Sequence, residues 1–198
     1  MKIGVIGIWH LGETVAAGLA TLGHSVVGFD ANQETIAALQ RGNLAIAEPG
    51  IAEALRHPDI RKRLAWTTNP AELGDCEAIF LTIDTPVGES DQAETGTLFE
   101  TVKLIGPRLS AATLFVVMSQ VPVGTTHALG KCIRDVNPAW QGGIAYVPEN
   151  LQLGAAWNCF FHPDRLVIGA DTEQARDRVQ AIFRGIACPQ LSMNIVSA

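Results

Sequence analysis

Lys2-Ile3-Gly4-Val5-Ile6-Gly7-Ile8-Trp9-His10-Leu11-Gly12 opens the chain with a short apolar run that breaks on glycine and meets a second glycine five residues on. From Thr14 to Leu22 apolar residues recur at helical spacing, at Val15, Leu19 and Leu22, and Gly23 stops them. A second apolar run, Ser25 to Phe29, ends on Asp30. Strand, tight turn, helix, strand and acid, in that order, form the layout of a dinucleotide-binding βαβ unit. Its glycine template is G-x-G-x-x-G. Gly7 fits the turn and Gly12 the close packing of helix on strand, but Trp9 stands where a glycine normally admits the pyrophosphate. Asp30 at the end of the second strand suits the hydroxyls of an adenosine ribose and repels a 2′-phosphate, and Ala31-Asn32-Gln33 supplies no cation to neutralise one. NAD is therefore expected over NADP. An aspartate opening a turn before a helix is the plainer alternative.

Further along, Ala78 to Ile83 and Thr113 to Met118 are near-continuous apolar runs, the pattern of parallel strands covered on both faces. Ala65 to Thr68, Ile144 to Val147 and Arg165 to Ile168 are additional strand candidates. Helices are expected from an Asn32 cap to Gln40, briefly after Asn69-Pro70, over Leu98 to Ile105, and from Gly124 to Arg134. Asp171-x-x-Gln174 has the form of a capping box for a helix reaching about Gly185. The alternation predicts an α/β fold, a doubly wound and mostly parallel sheet of Rossmann type, with ligand at the carboxyl ends of the strands.

The chain has 198 residues, 47% hydrophobic and 17% charged, with a formal net charge of −6. These values suit one α/β domain. Arg61-Lys62-Arg63 is the sole basic cluster and reads as solvated surface, so nucleic acid is not an expected partner. No apolar stretch reaches transmembrane length and no signal peptide is legible, so no membrane association is expected. Cys76, Cys132, Cys159 and Cys188 are widely spaced, consistent with reduced thiols in a cytoplasmic protein rather than a metal site or disulfide frame. His24, His57, His127 and His162 lack metal-ligand spacing, and no metal site is expected. His10, at the mouth of the first helix, suits either a phosphate contact or a surface position. Trp66, Trp140 and Trp157 read as packing residues.

The loops after the strands carry motifs in a shared order: Glu48-Pro49-Gly50-Ile51, Asp84-Thr85-Pro86, Ser119-Gln120-Val121-Pro122-Val123-Gly124-Thr125, Pro148-Glu149-Asn150-Leu151 with Gly154, and Pro163-Asp164-Arg165-Leu166-Val167-Ile168-Gly169. Together they resemble the E-P-G-L, G-T-P, S-T-V-P-V-G-T, P-E-F-L and P-D-R-I-V-I-G segments of the UDP-glucose/GDP-mannose dehydrogenase family. The resemblance implies oxidation of the C6 hydroxyl of a nucleotide sugar to a carboxylate, with two NAD molecules used in succession through a cysteine thioester. It implies cofactor contacts from Gly7, Trp9, His10, Leu11, Gly12, Asp30, Thr85, Pro86, Ser119 and Gln120, and a catalytic role for Glu149 in thioester hydrolysis.

The family's cysteine motif, G-G-x-C-x-P-K-D, matches none of the four cysteines here. Residues 1–198 are thus expected to be the NAD-binding domain alone, without the central helix and carboxy-terminal substrate domain, and inactive by themselves. The full-length enzyme is expected to be a homodimer and this segment monomeric. Departures from the family pattern fall at Trp9, at Asp84 (glycine in the family), at Gln120 (threonine) and over Asn150-Leu151-Gln152-Leu153, which loses two charges. Trp9, Asp84 and Gln120 leave open a second reading, a non-catalytic dinucleotide-fold module that has lost NAD binding and serves assembly or regulation.

Overall fold

The computed structural model describes residues 1–44, 48–86, 93–149 and 151–198; Asn150, of the fourth motif, lies outside them. Eight strands form one sheet: β1 Lys2–Ile6, β2 Ser25–Phe29, β3 Leu64–Thr67, β4 Ala78–Leu81, β5 Leu114–Val117, β6 Ile144–Tyr146, β7 Leu166–Ala170 and β8 Gln190–Asn194. Their spatial order is β3-β2-β1-β4-β5-β6-β7-β8. Every neighbouring pair is parallel except β6 and β7, which run antiparallel. The expected α/β doubly wound, mostly parallel sheet is therefore the observed fold, and the strand order reverses beside β1, where such folds open a crevice.

The helices are α1 His10–Thr21, α2 Gln33–Gln40, α3 Ile51–Arg56, α4 Pro58–Arg61, α5 Gly96–Ile105, α6 Thr125–Val136, α7 Ala156–Phe161 and α8 Glu173–Ile182. They cover both faces of the sheet, which is why β4 and β5 are apolar at every position. Side chains alternate between two cores, as the period of a strand requires. Phe80 and Val116 pack with Leu19 of α1 and Phe183 on one face. Ile79, Leu81, Phe115 and Val117 pack with Val102 of α5 and Ile133 of α6 on the other. Trp140 is buried there, its Nε1–H donating to the Thr113 carbonyl at 2.7 Å.

Local punctuation works largely as expected. Asn32 accepts from the backbone N–H groups of Glu34 and Thr35 and starts α2. Asn69 caps a short 3-10 turn over Pro70–Leu73. Three features differ. α1 begins at His10, a turn before Thr14, because the Glu13 N–H already donates to the Trp9 carbonyl at 2.7 Å. α8 is capped by Thr172, whose Oγ1 accepts from the Ala175 N–H at 3.1 Å; Asp171 is drawn away to accept from the Ile144 N–H. The 190–194 segment adds β8 along β7 at the edge of the sheet.

Candidate functional site

Loops following β1, β2, β4, β5 and β6 converge at the carboxyl end of the sheet, where a doubly wound fold binds its ligand. Two cavities open there. One of about 220 Å³ lies between Gly7, Trp9, Asp30, Ala31 and the face of α5 at Thr97 and Thr101. The other, about 480 Å³, is bordered by His10, Leu11, Thr85, Ser119, Gln120 and Glu149. Ile83 and Asp84 border both. A larger cavity of about 650 Å³ lies between α2, α3 and β3, away from all of these residues.

The turn between β1 and α1 shows why its two glycines are required. Gly7 has φ +89°, a conformation that side chains disfavour, and a Cβ there would sit 2.5 Å from Ile83 Cγ1. A Cβ on Gly12 would sit 2.0 Å from the Gly7 carbonyl oxygen and 2.9 Å from Thr82 Oγ1. The buried Thr82 hydroxyl contacts the Ile6 and Gly7 carbonyl oxygens at 2.9 and 3.0 Å and so holds the turn to β4. Its threonine lay inside an apolar run, and nothing in the sequence distinguished it. Leu11 is buried, while Trp9, at the N-cap, is 48% exposed and makes no side-chain cap. The N–H groups of His10, Leu11 and Gly12 precede the first intrahelical bond of α1, which the Glu13 N–H makes to the Trp9 carbonyl.

Asp30 fastens this turn to β2. Its Oδ2 accepts from the Ile8 N–H at 2.8 Å and its Oδ1 from the Asn32 N–H at 2.8 Å. A carboxylate has about four acceptor positions, so both oxygens retain capacity towards the smaller cavity. The turn-opening role and a ligand-facing role are thus compatible.

His10 is not a free surface residue. Its Nε2 lies 2.7 Å from Oε1 of Glu48, whose side chain is 1% exposed. Glu48 also accepts from the Gly154 N–H at 2.7 Å and the Ala156 N–H at 3.3 Å. Burial opposes ionisation of this carboxyl, but the Gly154, His10 and Ala156 donors together outweigh it and hold its pKa below the ordinary 4.5. A carboxyl depressed in the folded state stabilises above its unfolded pKa and loses that contribution as pH falls through the folded value. Glu48→Gln should therefore flatten the acid limb of the stability–pH curve below about pH 4.5. Denaturant melts at a series of pH values would measure this, and parallel curves for the two proteins would contradict it.

The opposite wall carries the remaining residues. Gln120 donates through Nε2 to Glu149 Oε1 at 2.7 Å, and Glu149 Oε2 accepts from the Leu151 N–H at 2.8 Å. Thr85 donates its hydroxyl to the Gln120 carbonyl, linking the loops after β4 and β5. The Ser119 hydroxyl turns into the sheet, 3.3 Å from the Leu81 carbonyl oxygen. Pro86 is exposed on the rim. Asp84 borders both cavities. Partial burial raises its carboxyl pKa, a cationic His10 opposes this, and Glu149 adds to it.

None of the four cysteines borders either cavity. Cys76 is buried at the amino end of β4, where burial pushes its thiol up to about 11. Among the described residues no cluster of His, Cys, Asp or Glu could hold a metal, and no helix is long and apolar enough to cross a membrane.

Sheet order, glycine turn and terminal acid of β2 define a dinucleotide-binding domain of the doubly wound class. Residues 1–187 match the UDP-glucose/GDP-mannose dehydrogenase family, NAD binding domain. The chain belongs to that family, and the cofactor of this domain is NAD. It is 32% identical over 188 residues to a UDP-glucose 6-dehydrogenase of Pseudomonas aeruginosa, an alignment covering 92% of this chain and 42% of that protein. Its fold superposes on a UDP-glucose dehydrogenase of Pyrobaculum islandicum with a TM-score of 0.94 and 30% identity, covering 99% of this chain and 46% of that one. A GDP-mannose dehydrogenase of Pseudomonas aeruginosa, solved as a ternary complex, superposes with a TM-score of 0.93 and 26% identity, covering 100% and 47%. The chain spans less than half the length of these relatives.

Proposed function

We propose that residues 1–198 are the NAD-binding domain of a nucleotide-sugar 6-dehydrogenase, which oxidises the C6 hydroxyl of a UDP- or GDP-sugar to a carboxylate. The observation that carries this reading is that the glycine turn and Asp30 border one cavity and the Gln120–Glu149 pair the next, with Ile83 and Asp84 shared between them. NAD, when bound, accepts the hydride. Gly7 and Gly12 would let the backbone approach its phosphates, and the amino end of the α1 dipole would favour their charge. Asp30 would take the ribose hydroxyls, with the apolar cavity beside Trp9 for the adenine. His10, Leu11, Thr85, Pro86, Ser119 and Gln120 would line the remaining cofactor path and the substrate side. Glu149 would hold or activate water for hydrolysis of a thioester formed on a cysteine supplied from outside this segment. The direct Gln120–Glu149 contact of 2.7 Å leaves that water no place between the two side chains, so Gln120 would have to swing aside.

With no thiol facing the cleft, the 198-residue polypeptide should turn over no nucleotide sugar. NADH formation from a panel of UDP- and GDP-sugars, followed at 340 nm, is the test, and measurable turnover by purified protein overturns the reading. Saturable NAD binding in a calorimetric titration should accompany the absence of turnover.

Two observations favour the alternative of a non-catalytic module serving assembly or regulation. Gln120 occupies an acceptor position of Glu149, and Asp84 sets a carboxylate between the two cavities, where a pyrophosphate would be repelled. Trp9→Gly helps separate the readings. The indole is half exposed, and glycine is accepted at an N-cap, so the fold should lose no more than about 1 kcal/mol. If the indole obstructs the phosphate path, Trp9→Gly binds NAD more tightly than the parent in calorimetry. A folded variant that binds less tightly would show that the indole supports the cofactor.

A further inference from the structure

Glu48 joins three segments that are far apart in sequence. It receives the Gly154 and Ala156 N–H groups from the loop that leads into α7, across separations of 106 and 108 residues, and it meets the His10 ring at the mouth of α1. The turn that carries it is docked independently. At Gly50 (φ +90°) the approach is so close that a Cβ would lie 2.5 Å from the Trp157 ring of α7. A carboxylate this buried is tolerated only with its donors in place, because an unpaired buried charge is costly. Loss of either side of the bridge therefore disturbs the other. His10, at the mouth of α1, and Leu151, at the start of the 151–156 loop beside Glu149, border the same cavity.

We propose that Glu48 is a positioning residue that couples the cofactor end of α1 to the 151–156 loop, so that NAD binding orders the substrate-side wall through the His10–Glu48–Gly154 bridge. The NAD-dependent part of this proposal rests on the cofactor reading above; the bridge itself does not. A neutral glutamine in place of Glu48 cannot accept from all three donors. Truncating His10 removes the cofactor-side end and leaves the loop contacts of Glu48 in place.

Amide exchange at Gly154 and Ala156, measured by NMR on the 198-residue chain with and without saturating NAD, tests the coupling. In the wild type, NAD should slow exchange at both amides several-fold. In Glu48→Gln the NAD response at these amides should vanish while NAD affinity falls about tenfold, the size expected for losing a hydrogen bond to a charged group. His10→Ala should speed exchange of both amides without NAD present, although His10 touches neither. Glu48→Asp, which keeps the charge on a shorter stem, should restore part of the response. An equal NAD response in wild type and Glu48→Gln overturns the coupling, as does unchanged Gly154 and Ala156 exchange in His10→Ala. If the wild type binds no NAD, the cofactor reading fails, and the His10→Ala result alone decides whether the bridge couples the two walls.

Discussion

Gly12→Ala should both destabilise the domain and abolish NAD binding. The added methyl would lie 2.0 Å from the Gly7 carbonyl oxygen, far inside van der Waals contact, and 2.9 Å from Thr82 Oγ1. Neither neighbour is the loose end of a flexible side chain. The Gly7 carbonyl belongs to a turn with φ +89° that the Thr82 hydroxyl clamps at 3.0 Å, and Thr82 is fully buried. Relief requires α1 to move off β1, which opens the packing of Val15 and Leu19 on the sheet. Overpacking that forces backbone to shift typically costs about 1–3 kcal/mol, and a 2.0 Å approach to backbone belongs at the top of that range. In a chain of this size that lowers the melting temperature by roughly 6–12 °C. The same shift carries the first turn of α1 away from the place where phosphates would lie, so cofactor affinity falls with stability. Thermal melts and calorimetry on one preparation check both halves. A variant with parental melting temperature and NAD affinity would show that the close approach at Gly12 does not matter.

The features legible in the sequence are those whose cause is local. Gly7, Gly12 and Asp30 announce themselves because a tight turn and a strand end each demand a particular residue type within a short window. β4 and β5 announce themselves because helices on both faces require apolar residues at every position. Asn32 and Asn69 act on N–H groups two or three residues away, so their caps were readable too. Thr172 shows the limit of that reasoning, since Asp171 was equally suited to the cap but is claimed by Ile144, 27 residues distant. His10 and Glu48 are the larger case. Each stood in a recognised motif, yet only folding brings them within 2.7 Å, and no local pattern encodes that pairing. The three short elements α3, α4 and α7 escaped for a related reason. With four to six residues apiece they are too short to show a period. β8 has exposed or half-exposed side chains throughout, so no alternation marked it.

Asp30→Ala should erase most of the preference for NAD over NADP, and its effect divides into two measurable parts. The first is structural: the variant leaves the Ile8 N–H, on a residue 1% exposed, without the acceptor it has at 2.8 Å. An unsatisfied buried donor costs about 1–3 kcal/mol, so the variant should melt earlier. The second part belongs to the ligand. If Asp30 takes ribose hydroxyls, removing a charged acceptor weakens NAD by roughly 10- to 100-fold. NADP also loses the ordered turn, but it gains relief from a carboxylate that repels its 2′-phosphate, so its affinity should change much less. Asp30→Asn separates the two contributions. Its single carbonyl oxygen can keep one backbone contact while the charge is gone, so it should recover part of the stability and still discriminate poorly. Paired calorimetric titrations of the three proteins with NAD and NADP provide the comparison. Tighter NADP than NAD binding by the unaltered chain would end the specificity argument. An Asp30→Ala variant that loses equal affinity for both cofactors would leave Asp30 as a fastener of the turn alone.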